Sequence, residues 1–274
     1  MFLVCASLLL ATALATSPKT ARPRPHADDV VKVVTTDFRF DMPPTLTAGP
    51  TTFQVVNRGK EVHQLYLARL AEGKRAADFV NALKAGGPPP SWATDVGGPN
   101  GVDPGTSSPL ATVQLAPGHY AALCVIPSPD GVPHIMKGMF ADVAVTPGIR
   151  TASSSAKPDL TISLVDYGYS FATPLTAGSH RIRVRNDGKQ SHELEIARLL
   201  PGKTPADLAA WAEKMAGPPP AHFVGGISPI APGQSNDLSL TLTPGHYVML
   251  CFLPDAKDKK PHTAHGMMHD FVVK

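Results

Sequence analysis

The sequence predicts an all-β chain folded as two tandem β-sandwiches, each with one short helical insertion. Three observations carry this expectation. The chain repeats itself once; the segments between turn residues are short and alternating; and 29 prolines and 23 glycines in 274 residues favour many short strands over long helices.

The repeat has a shift of 127 to 130 residues. It pairs "DFRF" at Asp37 with "DYGY" at Asp166, "LTAG" at Leu46 with "LTAG" at Leu175, and "NRGKEVHQLYLARL" from Asn57 with "NDGKQSHELEIARL" from Asn186. Further on, "APGHYAALC" pairs with "TPGHYVMLC". Two domains of one fold follow, 28–147 and 158–274, joined by a proline- and small-residue linker at 148–157. The N-terminus "MFLVCASLLLATALATSPKT" has an apolar run shorter than the ~20 residues of a membrane span and a small-x-small pattern ending at Ala15. It reads as a signal peptide at 1–15 followed by a leader at 16–27, so the protein is expected to be exported, to the periplasm or beyond, with no membrane insertion after cleavage. The formal charge of +3 is too small and scattered for a nucleic-acid surface.

Within each copy, segments such as "TTFQVVN", "ATVQLAPG" and "HYAALCVIP" alternate between turn residues and read as strands of an antiparallel sandwich. "KRAADFVNALKAG" and "TPADLAAWAEKMAG" read as the helices, the second with Thr204 as N-cap, Pro205 at the first helical position and Gly217 as stop. Strand parity sets His192, Leu194 and Ile196 on one face of "HELEIARL", opposite Glu193 and Glu195, and makes His192 core-facing. His63, Leu65 and Leu67 align likewise. In "HYVMLC" the face of Tyr247, Met249 and Cys251 is the inward one, as is that of Tyr120, Ala122 and Cys124. His119 and His246 then point outward. A core histidine needs partners for its ring nitrogens, so something at the strand's edge must satisfy it.

Each copy thus offers a core-face histidine, a strand-end cysteine, and then a Pro-His and a Gly-Met in the following loop. A thiolate, two imidazoles and a weak thioether suit copper in an electron-transfer site; zinc accepts the first three but thioether is a poor zinc ligand. The competing readings of the cysteines are a Cys124–Cys251 disulfide across the domain boundary, or core packing without any metal.

The "NRGKEVH" and "NDGKQSH" segments, with the "PGHY" strands leading to a cysteine and a His and Met loop, resemble the cupredoxin, or blue (type 1) copper, superfamily in a tandem form. The resemblance covers nearly all of both copies and implies Greek-key sandwiches with copper near one end of each. Carried over, it implies His63, Cys124, His134 and Met139 as metal ligands in the first copy and His192, Cys251, His262 and Met267 in the second. One departure stands out: nine residues separate Cys124 from His134, and ten separate Cys251 from His262, more than small blue copper proteins use.

No His-Cys pair, His-x-His pair, phosphate loop or serine elbow occurs. The expectation is a protein that is not an enzyme: an exported one-electron carrier meeting a redox partner protein. The alternatives are copper storage or delivery, with a copper donor or acceptor as partner and His262, His265, Met267, Met268 and His269 as a donor cluster, or a metal-free interaction module.

Overall fold

The computed structural model describes residues 30–86, 89–148, 150, 157–215 and 217–274. The expected signal peptide, the leader and most of the linker lie outside the described residues.

Among the described residues, nine strands lie before residue 148 and eight after it. In the first copy these are β1 (Val30–Thr36), β2 (Arg39–Asp41), β3 (Thr45–Thr47), β4 (Gly49–Asn57), β5 (Tyr66–Leu70), β6 (Ala93–Gly97), β7 (Leu110–Leu115), β8 (Gly118–Leu123) and β9 (Phe140–Thr146). In the second they are β10 (Leu160–Val165), β11 (Gly168–Ser170), β12 (Gly178–Asn186), β13 (His192–Leu199), β14 (Ala221–Ile230), β15 (Ser235–Leu242), β16 (Gly245–Leu250) and β17 (Met268–Val273). Alternation does what the sequence expects of it. Along β4 the inward side chains are Thr51, Phe53, Val55 and Asn57; along β12 they are Ile182, Val184 and Asn186. Burying each Phe, Val or Ile this way contributes roughly 1.5–3 kcal/mol.

Two sheets face each other, with strand orders β11-β10-β12-β15-β7-β4-β1-β2 and β17-β16-β13-β14-β6-β5-β8-β9-β3. Each copy has its own core between them, one around Phe53, Leu67 and Tyr120 and one around Leu164, Ile196 and Met249. The sheets, however, do not stop between the copies. β7 pairs β15 through Leu238↔Ala111, and β6 pairs β14 through Ile230↔Val96, so the two sandwiches lie side by side with both layers shared. The sandwich is also mixed rather than wholly antiparallel: β1 with β4, β10 with β12 and β3 with β9 run parallel.

The expected helices are present, α1 (Ala76–Lys84) and α2 (Pro205–Lys214). Thr204 caps α2, its Oγ1 accepting the Asp207 N–H at 3.2 Å, and Pro205 occupies the first turn. The stop differs from expectation: Met215, at φ 46°, takes the left-handed cap two residues before Gly217. Both helices cover the outer face of the second sheet, α1 over Tyr66, Ala68 and Leu123, α2 over Ala197, Val248 and Leu250. Glu193 and Glu195, on the face opposite His192, are nonetheless buried, with Asn100 and Gly101 of the first copy bonded to their carboxylates.

Candidate metal centres

Antiparallel pairing brings the first histidine and the cysteine of each copy to one end of the sandwich. Tyr66 sits opposite Leu123, so His63, just before β5, lies beside Cys124, just after β8; Glu195 opposite Leu250 does the same for His192 and Cys251. All four are fully buried. The tyrosines pack inward as parity requires, Tyr120 donating to the Ala116 carbonyl at 2.8 Å and Tyr247 to that of Thr243 at 2.9 Å. His119 is exposed, and His246 turns out to Asp270.

The long loop after each cysteine returns without cost to the geometry. Residues Pro127 and Pro133 form a bridge, as do Pro254 and Pro261, pinching the excursion off. The His134 N–H then donates to Ile126 at 2.9 Å and that of His262 to Leu253 at 2.8 Å, so each second histidine sits next to the strand end. A short 3-10 turn follows, His134–Lys137 or His262–His265, closed by Gly138 at φ 102° or Gly266 at φ 92°. This left-handed cap is the reason for glycine in each Gly-Met pair. It turns the buried Met139 back, its N–H bonding the His134 carbonyl and its carbonyl the Cys124 N–H, at 3.0 and 3.2 Å; Met267 repeats the pattern with His262 and Cys251.

His63, Cys124 and His134 form one cluster, and His192, Cys251 and His262 the other, with the potential ligand atoms of each within 4.8 Å of one another. In the first, Nδ1 of His63 stands 3.1 Å from Nδ1 of His134, which is 3.3 Å from the Cys124 sulfur. In the second the same separations are 3.1 and 3.2 Å. The two cysteines are free, each within its own cluster, which removes the disulfide reading.

The outer nitrogens explain why the inner ones converge. Nε2 of His63 bonds Asp37 at 3.2 Å, Nε2 of His134 bonds Glu61 at 2.8 Å, and Nε2 of His192 bonds Asp166. An ionised carboxylate only accepts, so the proton belongs to Nε2 and Nδ1 is left as a bare lone pair. Burial also holds His63, His134 and His192 below the usual imidazole range and His262 down at about 4, aided there by His192. In the first cluster, where both outer nitrogens face carboxylates, two lone pairs 3.1 Å apart repel, and one thiol proton cannot satisfy both. A cation bonded at ~2.0–2.1 Å to nitrogen and ~2.3 Å to sulfur spans these separations and satisfies all three donors. Burial pushes the Cys124 thiol up to about 12 and Cys251 well above its ordinary value, so each sulfur keeps its proton until a bound cation displaces it. Soft sulfur with two imidazoles, and a buried methionine tied to each cluster, is a donor set that copper fits.

Several contributors escaped the sequence reading. Asp37 and Asp166 hold the first histidine, and the aromatic after each, Phe38 or Tyr167, packs on the second at a ring separation of 5.2 Å. Their recurrence in "DFRF" and "DYGY" was the available signal. Asn57 and Asn186 end the inward rows of β4 and β12. Each donates to two carbonyls, Glu61 and Val102 or Gln190 and Ile230, and accepts the N–H of Gly59 or Gly188. Glu61 has no acidic counterpart: Gln190 stands in its place and bonds Asp255, and Nε2 of His262 is buried without a partner. Of the alternative donor cluster in the second copy, His262 and Met267 are buried, whereas His265 pairs with Asp258 and stacks on Tyr167, His269 packs on Phe171, and Met268 packs with the α2 layer.

No family model matches the chain, and no curated protein matches it. Among solved structures, auracyanin from the photosynthetic bacterium Roseiflexus castenholzii is 22% identical over 44% of this chain and 100% of its own, with a TM-score of 0.30. Auracyanin A, a blue copper protein from Chloroflexus aurantiacus, is 19% identical over 43% of this chain and 98% of its own, at 0.32. A copper-containing nitrite reductase from Thermus scotoductus is 12% identical over 89% of this chain and 61% of its own, at 0.25. Multicopper oxidases are also among the similar structures. The expectation that the chain is not an enzyme is therefore withdrawn, because the structures it resembles include enzymes of two kinds. No helix among the described residues is long and apolar enough to cross a membrane. The chain is an all-β fold of two facing sheets in which an inward histidine, a strand-end cysteine and a second histidine cluster once in each half.

Proposed function

We propose that the chain is an exported copper protein that carries single electrons through two mononuclear centres, one in each of the units 28–147 and 158–274. The ligands are His63, Cys124, His134 and Met139 in the first and His192, Cys251, His262 and Met267 in the second. One observation carries the reading: in each copy two imidazole Nδ1 atoms and a buried thiol converge, and in the first copy carboxylates on both Nε2 atoms leave too few protons to satisfy them. Bound copper would supply Cu(II)/Cu(I) exchange. The chain's part is to hold the donors still and dry. Asp37 and Asp166 fix the first ring, Phe38 and Tyr167 cover the second, and the Pro-Pro bridges anchor the loop, so little has to move when the charge on the metal changes. The electrons pass to and from a redox partner protein.

The test is a Cu(II) titration followed in the visible range. Two equivalents should develop an intense thiolate absorption; Cys124→Ser and Cys251→Ser should each remove about half of it, and the double variant all of it. A colourless copper-treated protein, or a colour indifferent to both substitutions, overturns the reading.

A further inference from the structure

Between the two copies lies a cleft of about 1020 Å³, separate from either cluster of donors. Its walls are apolar, with Val62, Ile126, Trp211, Phe223 and Phe252 among them. Glu193 and Glu195 also line it, although they are only 5% and 3% exposed. The Glu193 carboxylate accepts the Phe252 N–H at 2.8 Å and the Asn100 amide at 3.2 Å. Glu195 accepts the Gly101 N–H at 2.8 Å through Oε2, while its Oε1 is buried with no partner. No salt bridge reaches either residue among the described residues. Of the other acidic groups around the cleft, Asp103 pairs with His222, which also lines it, and Glu61 with His134; Lys60 is the one lysine in the lining.

The sandwich itself does not require this acidity. At the corresponding positions of the first copy, "HQLYLARL" has Gln64 and Tyr66 where "HELEIARL" has Glu193 and Glu195. Two neighbouring carboxylates taken out of water without a countercharge are unfavourable for the fold. A ligand that brings a positive charge removes that penalty, and aromatic walls favour the same charge through their ring faces. The volume is that of a small-molecule site.

We propose that this cleft binds a small organic cation, a protonated amine on a flat apolar body, with its ammonium on the free oxygen of Glu195 and its body between Trp211, Phe223 and Phe252. The proposal does not depend on copper. It does place the ligand against the second centre: the Glu193 N–H approaches the Cys251 sulfur at 3.5 Å, and Phe252 follows Cys251 in the chain.

The test uses the full chain and two probes of one shape, 2-phenylethylamine and the uncharged 2-phenylethanol, in calorimetric titrations. The amine should bind at one site at least about tenfold more tightly than the alcohol. Glu195→Gln should abolish that preference, with circular dichroism confirming the fold. Equal affinities, a preference that survives Glu195→Gln, or no saturable binding of the amine at millimolar concentration would overturn the proposal. The comparison of probes on the unaltered chain decides the matter even if the variant fails to fold.

Discussion

Replacing Gly59 with alanine isolates the support of one histidine from the rest of the molecule. A Cβ built at this position would stand 2.5 Å from both Nε2 of His63 and Oδ1 of Asp37. Ordinary contact begins near 3.4 Å, so the ring or the carboxylate must retreat by roughly 0.9 Å, and either movement breaks the bond between them. Gly59 is not among the glycines with positive φ, so alanine meets no backbone penalty and the effect is one of approach alone. Loss of an outer partner of a metal-bound histidine typically costs about 10–100-fold in metal affinity, or ~1.4–2.7 kcal/mol. The assay is a chelator competition on Gly59→Ala in a Cys251→Ser background, where only the first centre takes up copper. Gly188→Ala, whose Cβ would meet His192 and Asp166 at 2.6 and 2.5 Å, should act on the second centre and leave the first untouched. The metal-free variants should also melt earlier, by ~1–3 kcal/mol of strain. An affinity within twofold of the parent, with unchanged melting, refutes the account of why glycine follows Asn57.

Glu61→Gln gives the first centre the residue type that Gln190 supplies in the second. Removing a negative charge beside His134 favours Cu(I), so voltammetry should show that centre's potential rising by tens of millivolts, on the order of 1–2 kcal/mol at an effective dielectric near 20 for a partly exposed group; no shift, or a fall, counts against the role given to Glu61. Glu195→Gln should change how stability depends on pH. Glu195 is raised in the fold above an unfolded value near 4.3, so the fold binds its proton more tightly, and stability falls as pH rises above that value. Urea denaturation of the metal-free chain should show the variant gaining on the parent by about 1.4 kcal/mol per pH unit from pH ~5 upward, with Glu193 leaving a residual slope in both; parallel curves contradict the assigned burial.

Much of the site was legible because a strand's period is two and the chain repeats. Parity turned His192 inward, and with Tyr247 taken as inward it turned Cys251 the same way; duplication separated meaningful positions such as the Gly-Met pairs from incidental ones. The nine- and ten-residue loops looked like an obstacle because a count of residues says nothing of a path; the Pro127–Pro133 and Pro254–Pro261 bridges shorten it. Asp37 and Glu61 were hidden for a related reason. A carboxylate 26 residues before one histidine, or 73 before another, becomes its partner only when separate strands meet.

By itself, then, the sequence determined what each local segment does: which residues alternate inward, where the helices lie, and which donors each half brings. Only the tertiary structure decided how the halves meet. The shared sheets, the helices over the outer face and the burial of Glu193 and Glu195 arise from pairing between residues such as Ala111 and Leu238. No local pattern encodes such contacts, because the free energy of burying one surface depends on what the rest of the chain places against it.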